Sequence, residues 1–256
     1  MFGAIAGDIV GSVFEFKPIK RRVFPLISDI CRFTDDTVLT VATAFSLLSD
    51  GDYAANYRLF GRIYPLAGYG QRFLDWVQSD DAGPYNSWGN GSAMRVSPVG
   101  WFLDDEKEVL AEAKRSAAVT HDHPEGIKAA QAVALGVYLA RRGEDAKEIK
   151  RELTRRFGYD LDRTTDSIRP SYRFDVSSQG SVPEAIICWL ESSSWEEAVR
   201  LAVSLGGDGD TQACIAGSLA EAAFGPPPEA VVERVTGILP EHLLQVVEEF
   251  LEKTGR

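Results

Sequence analysis

The chain has 256 residues and a formal net charge of −11, from 38 acidic and 27 basic side chains. That length suffices for one large domain or two small ones with a sizeable buried core. The acidity argues against a nucleic-acid duplex, which needs a basic face, and against an anionic membrane surface; a phosphate-bearing small molecule stays open, because backbone N–H groups and cations bind phosphate without net positive charge.

In chain order, "MFGAIAGDIVGSVFEF" is apolar but is interrupted by Asp8 and Glu15 and preceded by no basic stretch. It reads as neither a signal peptide nor a membrane span. "FTDDT" at 33–37 opens a run in which Val38, Val41, Ala42, Phe45 and Leu48 recur at helical spacing. Taken alone, Thr34–Thr37 fits a helix start, with Thr or Asp capping free N–H groups and acidic residues at the positive end of the dipole. It also fits half of a cation site. Segment 105–120 has a weaker stripe through Val109, Ala113 and Ala117, and 126–140 is apolar almost all round, the mark of a buried helix. "SVPE" at 181–184 and "SWEE" at 194–197 read as capping boxes, Ser181 with Glu184 and Ser194 with Glu197, with Pro183 in the first turn. "YRFDV" at 172–176 is a short strand or a loop. "GPPPE" at 225–229 separates two helices, and an amphipathic helix follows from Pro240.

Cys31, Cys188 and Cys214 are odd in number and match no zinc or disulfide spacing. Cys188 and Cys214 fall in apolar helical patterns as small core residues. This usage fits a reducing cytoplasm, the expected location. Without linker, repeat or low-complexity tract, the expected fold is one compact all-α domain over 1–256, with the unusual residues in its loops.

"GGDGDT" at 206–211 sets Asp208, Asp210 and Thr211 among Gly206, Gly207 and Gly209. The helix after it carries Ala213, Ala216, Gly217, Ala220 and Ala223, a narrow cross-section that lets neighbours approach. Paired with "TDDT", this makes two oxygen-rich clusters, which suit Mg²⁺ or Mn²⁺ rather than zinc. Bridging carboxylates hold two such ions about 3.5–4 Å apart. An EF-hand is excluded, since counting from Asp208 its sixth position is Ala213 and its twelfth Leu219. No phosphate-binding "GxxxxGK[ST]" loop is present. The scheme requires Asp36 and Asp210 to share one cavity.

Five segments in order resemble those of ADP-ribosylglycohydrolases: "GAIAGDIVGSVFE", "FTDDT", "GNGSAMRVSPVG", "THDHPEG" and "GGDGDT". They span residues 3 to about 224. The resemblance implies a compact orthogonal helical bundle with a dinuclear Mg²⁺ or Mn²⁺ cleft, ligated by Thr34, Asp35, Asp36, Asp208, Asp210 and Thr211. It implies hydrolysis of an ADP-ribosylated protein side chain (arginine or serine) or small molecule, releasing ADP-ribose. The distal ribose would dock on the metals, and Glu15, Asp35 or Asp36 would act as base or stabilise positive charge. By the same resemblance, Gly68, Tyr69, Gly70, Ser87, Gly89, Asn90 and His121 bind substrate, while Asp8 supports a loop. His121 could instead cap the next helix, and His123 reads as structural. Tyr85 and Trp88 could stack on adenine or pack a loop; Met94 and Val96 read as core. Family members usually carry threonine at Gly209. An inactive ADP-ribose-binding relative and a metal-dependent phosphohydrolase of a nucleotide sugar are the alternatives. Nothing in the sequence demands association, so a monomer is expected.

Overall fold

The computed structural model describes residues 1–49 and 51–255; Asp50 and Arg256, within the domain expected over 1–256, lie outside the described residues. The described residues form fifteen helices and no sheet. Segment 172–176 is a loop, followed at Ser177 by an isolated bridge to Gly89. In order the helices are α1 (Phe2–Gly11), α2 (Asp35–Leu48), α3 (Tyr53–Ile63), α4 (Gln71–Gln78), α5 (Gly91–Met94), α6 (Ser97–Phe102), α7 (Glu106–Ala118), α8 (Pro124–Arg141), α9 (Ala146–Phe157), α10 (Thr165–Ile168), α11 (Ser178–Leu190), α12 (Trp195–Ser204), α13 (Gly209–Phe224), α14 (Glu229–Ile238) and α15 (Glu241–Lys253).

The core is organised around α13, which packs on α1, α12, α11 and α8. Its closest neighbour is α1, every residue of which is buried. Gly3, Gly7 and Gly11 line one edge of α1 and meet Gly217, Ala213 and Gly209 of α13. A Cβ on Gly7 would stand 2.1 Å from the Ala213 carbonyl oxygen, and one on Gly11 would stand 2.3 Å from that of Gly209. Only glycine permits this backbone-to-backbone approach. The seam carries Asp8 of α1 to the first turn of α13. The small residues of α13 stand out in the sequence, whereas their counterpart on α1 is apparent only in the fold.

The long apolar segment forms α8, whose N-cap is His123: its Nδ1 accepts the Glu125 N–H at 3.1 Å. One cap differs from expectation. Helix α11 starts at Ser178, capped by Ser177 to the Gly180 N–H, so Ser181 and Pro183 lie inside it. Ser181 donates back to the Ser177 carbonyl, and Glu184 pairs with Arg163 at 2.6 Å, so no capping box forms there. Ser194 does cap α12, but Glu197 reaches back to Ser193 rather than to Ser194.

Candidate active site

A cleft of about 450 Å³ opens where three chain segments converge: the loop after α1, the N-terminus of α2 and the N-terminus of α13. Five carboxylates line it, those of Glu15, Asp35, Asp36, Asp208 and Asp210. Asp35 and Asp36 occupy the first turn of α2, Asp210 that of α13, and Asp208 is the N-cap residue of α13. The partial positive charge of two helix ends therefore faces the carboxylates and offsets some of their repulsion. The two clusters touch: the Thr211 hydroxyl donates to Asp36 Oδ1 at 3.3 Å, across 175 residues of sequence.

Asp8 holds this arrangement from beneath. Its buried carboxylate accepts the Thr34 N–H at 2.9 Å, the Thr34 hydroxyl at 2.7 Å, the Thr37 N–H at 3.1 Å and the Thr37 hydroxyl. It thereby fixes the start of α2 against α1. The Thr34 hydroxyl is committed to Asp8 and to the Asp36 N–H, so this expected ligand lies beneath the cleft wall rather than on it. On the α13 side, the Asn90 amide donates to Asp208 Oδ2 at 2.7 Å and orients that carboxylate. The Asp35 N–H donates to the Ala67 carbonyl at 2.8 Å, which holds the glycine loop 67–70 over the acidic end. Gly68 has φ +110°, a conformation that favours glycine.

Burial, then repulsion from Asp210 and Asp8, pushes Asp35 and Asp36 well above the usual carboxylate range. Burial and Asp210 do the same to Asp208, against the Asn90 bond. Burial and Asp210 raise Asp8 to about 7 despite its threonine partners, and raise Glu15 to about 7 against the pull of Arg32. Asp36 Oδ2 is buried with no hydrogen-bond partner. Carboxylates that are buried, crowded and under-bonded call for a cation. Glu15, Asp208 and Asp210 offer oxygens within 4.8 Å of one another, a spacing that can hold one. The donors are all oxygen, which fits Mg²⁺ or Mn²⁺. Glu15, expected as a base, thus also stands among the possible ligands.

The same cleft also carries two cations, Arg72 and Arg95, with His121 and Tyr85 on its wall beside Ser87, Gly89 and Gly91. Of the residues expected at the substrate, Gly68, Gly70, Ser87, Gly89, Asn90 and His121 line the cleft. Tyr69 does not: its buried ring stacks on Phe73 at 5.0 Å. Tyr85 lines the cleft, while Trp88 is 47 % exposed and outside its wall. Sequence reasoning missed Arg72, Arg95 and Phe174 on this wall. Arg95 could have been flagged as a lone charge in the apolar run "AMRVSPV".

Similarities to known proteins converge on one group. The ADP-ribosylglycohydrolase family model matches residues 1–256. The chain is 27 % identical to the ADP-ribosylarginine hydrolase Tri1 of Pseudomonas putida (strain GB-1), over 99 % of this chain and 77 % of that protein. It is 27 % identical to the human ADP-ribosylhydrolase ARH3, over 87 % of this chain and 84 % of that protein. A solved structure described as an ADP-ribosylglycohydrolase-related protein complex superposes with a TM-score of 0.71 at 25 % identity, covering 99 % of this chain and 92 % of that one. With the helical fold and the cleft between α2 and α13, this full-length match establishes that the chain belongs to the ADP-ribosylglycohydrolase family.

Proposed function

We propose that the chain hydrolyses the glycosidic bond at the anomeric carbon of an ADP-ribosylated substrate and releases ADP-ribose. The observation that carries this reading is the make-up of one cleft: five carboxylates share it with glycine backbone, two arginines and a histidine. A ligand with hydroxyls at one terminus and a diphosphate in its middle suits both sets of groups. Tri1 and ARH3 are named as hydrolases of ADP-ribosylarginine and of ADP-ribosyl groups.

Asp35, Asp36, Asp208, Asp210 and Thr211, with Thr34 behind them, are the residues that would hold divalent cations. Such cations, when bound, supply Lewis acidity and balance the carboxylate charge. Gly68, Gly70, Ser87, Gly89 and His121 would bind the diphosphate and adjoining ribose through N–H and O–H donors; Tyr69 could contribute only its backbone. Asn90 would act through Asp208. The carboxylates favour the positive charge that grows on the ribose as the bond breaks, as in other glycoside hydrolyses. Glu15, Asp35 or Asp36 would take a proton from water or stabilise positive charge on the ribose. Arginine and serine linkages, or a small ADP-ribosyl compound, are the candidate substrates.

The test is product analysis by mass spectrometry after incubation with Mg²⁺ or Mn²⁺ and a panel of ADP-ribosylarginine and ADP-ribosylserine peptides. Free ADP-ribose from at least one linkage is expected. ADP-ribose binding without turnover would instead mark an inactive binding protein, and phosphate release a phosphohydrolase.

A further inference from the structure

His121 is buried, and the bonds around it constrain which ring nitrogen carries its proton. Its Nδ1 lies 2.8 Å from the Thr120 hydroxyl, and its Nε2 has no hydrogen-bond partner among the described residues. The Nε2 side abuts the cleft: a Cβ on Gly91 would stand 3.1 Å from it and one on Gly89 3.7 Å. Thr120 Oγ1 is held in turn by Arg95, whose Nη2 donates to it at 2.9 Å and to the Ser116 carbonyl at 3.0 Å. An arginine only donates, so this contact occupies a lone pair of the threonine oxygen. The Arg95 guanidinium is fully buried where it backs the cleft wall, with Nε and Nη1 unpartnered and no carboxylate paired with it among the described residues; it faces the Tyr57 ring at 4.2 Å.

The Thr120 hydroxyl therefore has one hydrogen to place. Among the described residues its remaining hydrogen-bond partner is His121 Nδ1. Thr120 is buried, so a hydroxyl that did not donate to Nδ1 would leave its hydrogen unpaired. The positive charge of Arg95 sits on the Nδ1 side of the ring and favours a lone pair there over an N–H. We infer that Arg95 and Thr120 lock neutral His121 in the Nε2–H tautomer, so that it presents a fixed hydrogen-bond donor to an anionic oxygen in the cleft. Thr120 is then a positioning residue that acts through His121. Burial, Arg95 and Arg72 keep the imidazole well below its ordinary pKa, so it stays neutral at physiological pH.

The tautomer stands on the protein's own contacts; its use toward a ligand rests on the ADP-ribose reading above. Two-bond ¹H–¹⁵N correlation spectra of the ¹⁵N-labelled full chain distinguish the tautomers directly, with His121 assigned against His123 and His242 by the His121→Asn variant. The Nε2–H pattern is expected in the wild type, and an Nδ1–H pattern overturns the inference. Thr120→Val should shift the pattern and weaken ADP-ribose binding, titrated with Mg²⁺ present, by about three- to ten-fold, whereas Thr120→Ser should keep both. An unchanged spectrum and affinity in Thr120→Val would remove Thr120 from the role. If the wild type shows Nε2–H but no ADP-ribose binding, the site reading fails and the tautomer stands.

Discussion

At Asp8 one carboxylate takes four hydrogen bonds from Thr34 and Thr37 while lying in the field of Asp210. It touches no cleft solvent, yet it sets where Asp35 and Asp36 point. Partners that orient metal-binding groups in this way are worth about 10–100-fold in metal affinity. Asp8→Ala should therefore weaken Mn²⁺ binding by that order, measured by calorimetric titration, although all five cleft carboxylates remain. His121 gives a second prediction, on pH. Its folded pKa is depressed by burial, Arg95 and Arg72, so it remains neutral in the fold while the unfolded side chain takes up a proton near pH 6.5. Its contribution to stability is full above that pH and is lost as pH falls, by up to about 1.4 kcal/mol per pH unit. His121→Asn removes this increment. Urea unfolding at pH 7 and pH 5 should show the stability gap between wild type and variant narrowing at the lower pH.

At the scale of the helices, the seam between α1 and α13 decides whether the site exists. Gly7→Ala would drive a methyl group against the Ala213 backbone, which cannot yield as a side chain can. Overpacking of this kind costs about 1–3 kcal/mol. Urea unfolding should report that loss, together with weaker Mn²⁺ binding as Asp8 and Asp210 move apart. Gly237→Ala on α14 is the control: a Cβ there meets nothing within 4 Å, and stability should hold or rise by about 0.4–1 kcal/mol. The seam also explains what was legible beforehand. Periodicity exposed α2, α7, α8 and α15, because each combines an apolar stripe or a long apolar run with recognisable ends. Helix α1 was hidden, since it is apolar on every side and three of its ten residues are glycine, which has low intrinsic helix preference. The acidic residues of the cleft could be read from composition in short windows. The link from Arg95 through Thr120 to His121 could not, because it lies in contacts between segments 21 or more residues apart. The misplaced start of α11 has a similar cause: Ser177 and Ser181 both suit a cap, and only the tertiary pairing of Glu184 with Arg163 separates them.

For the molecule as a whole, burial of like charges at the cleft costs stability that a bound cation returns. A ligand that binds only the folded state adds about 2.7 kcal/mol at a hundred times its dissociation constant. Mg²⁺ or Mn²⁺ should therefore raise the thermal midpoint in a concentration-dependent way, and a chelator should reverse the gain. In Asp36→Asn the same salt should produce a smaller shift, measured by differential scanning calorimetry.

The long sequence gap between Thr211 and Asp36 has a consequence for how the protein is made. Neither half of the cation site is complete in a local segment, and closing so large a loop comes late when nearby helices can form first. On the proposed reading, cations can be held only once α13 has been synthesised and has packed against α1. Cation binding would then follow, rather than guide, the docking of these two helices.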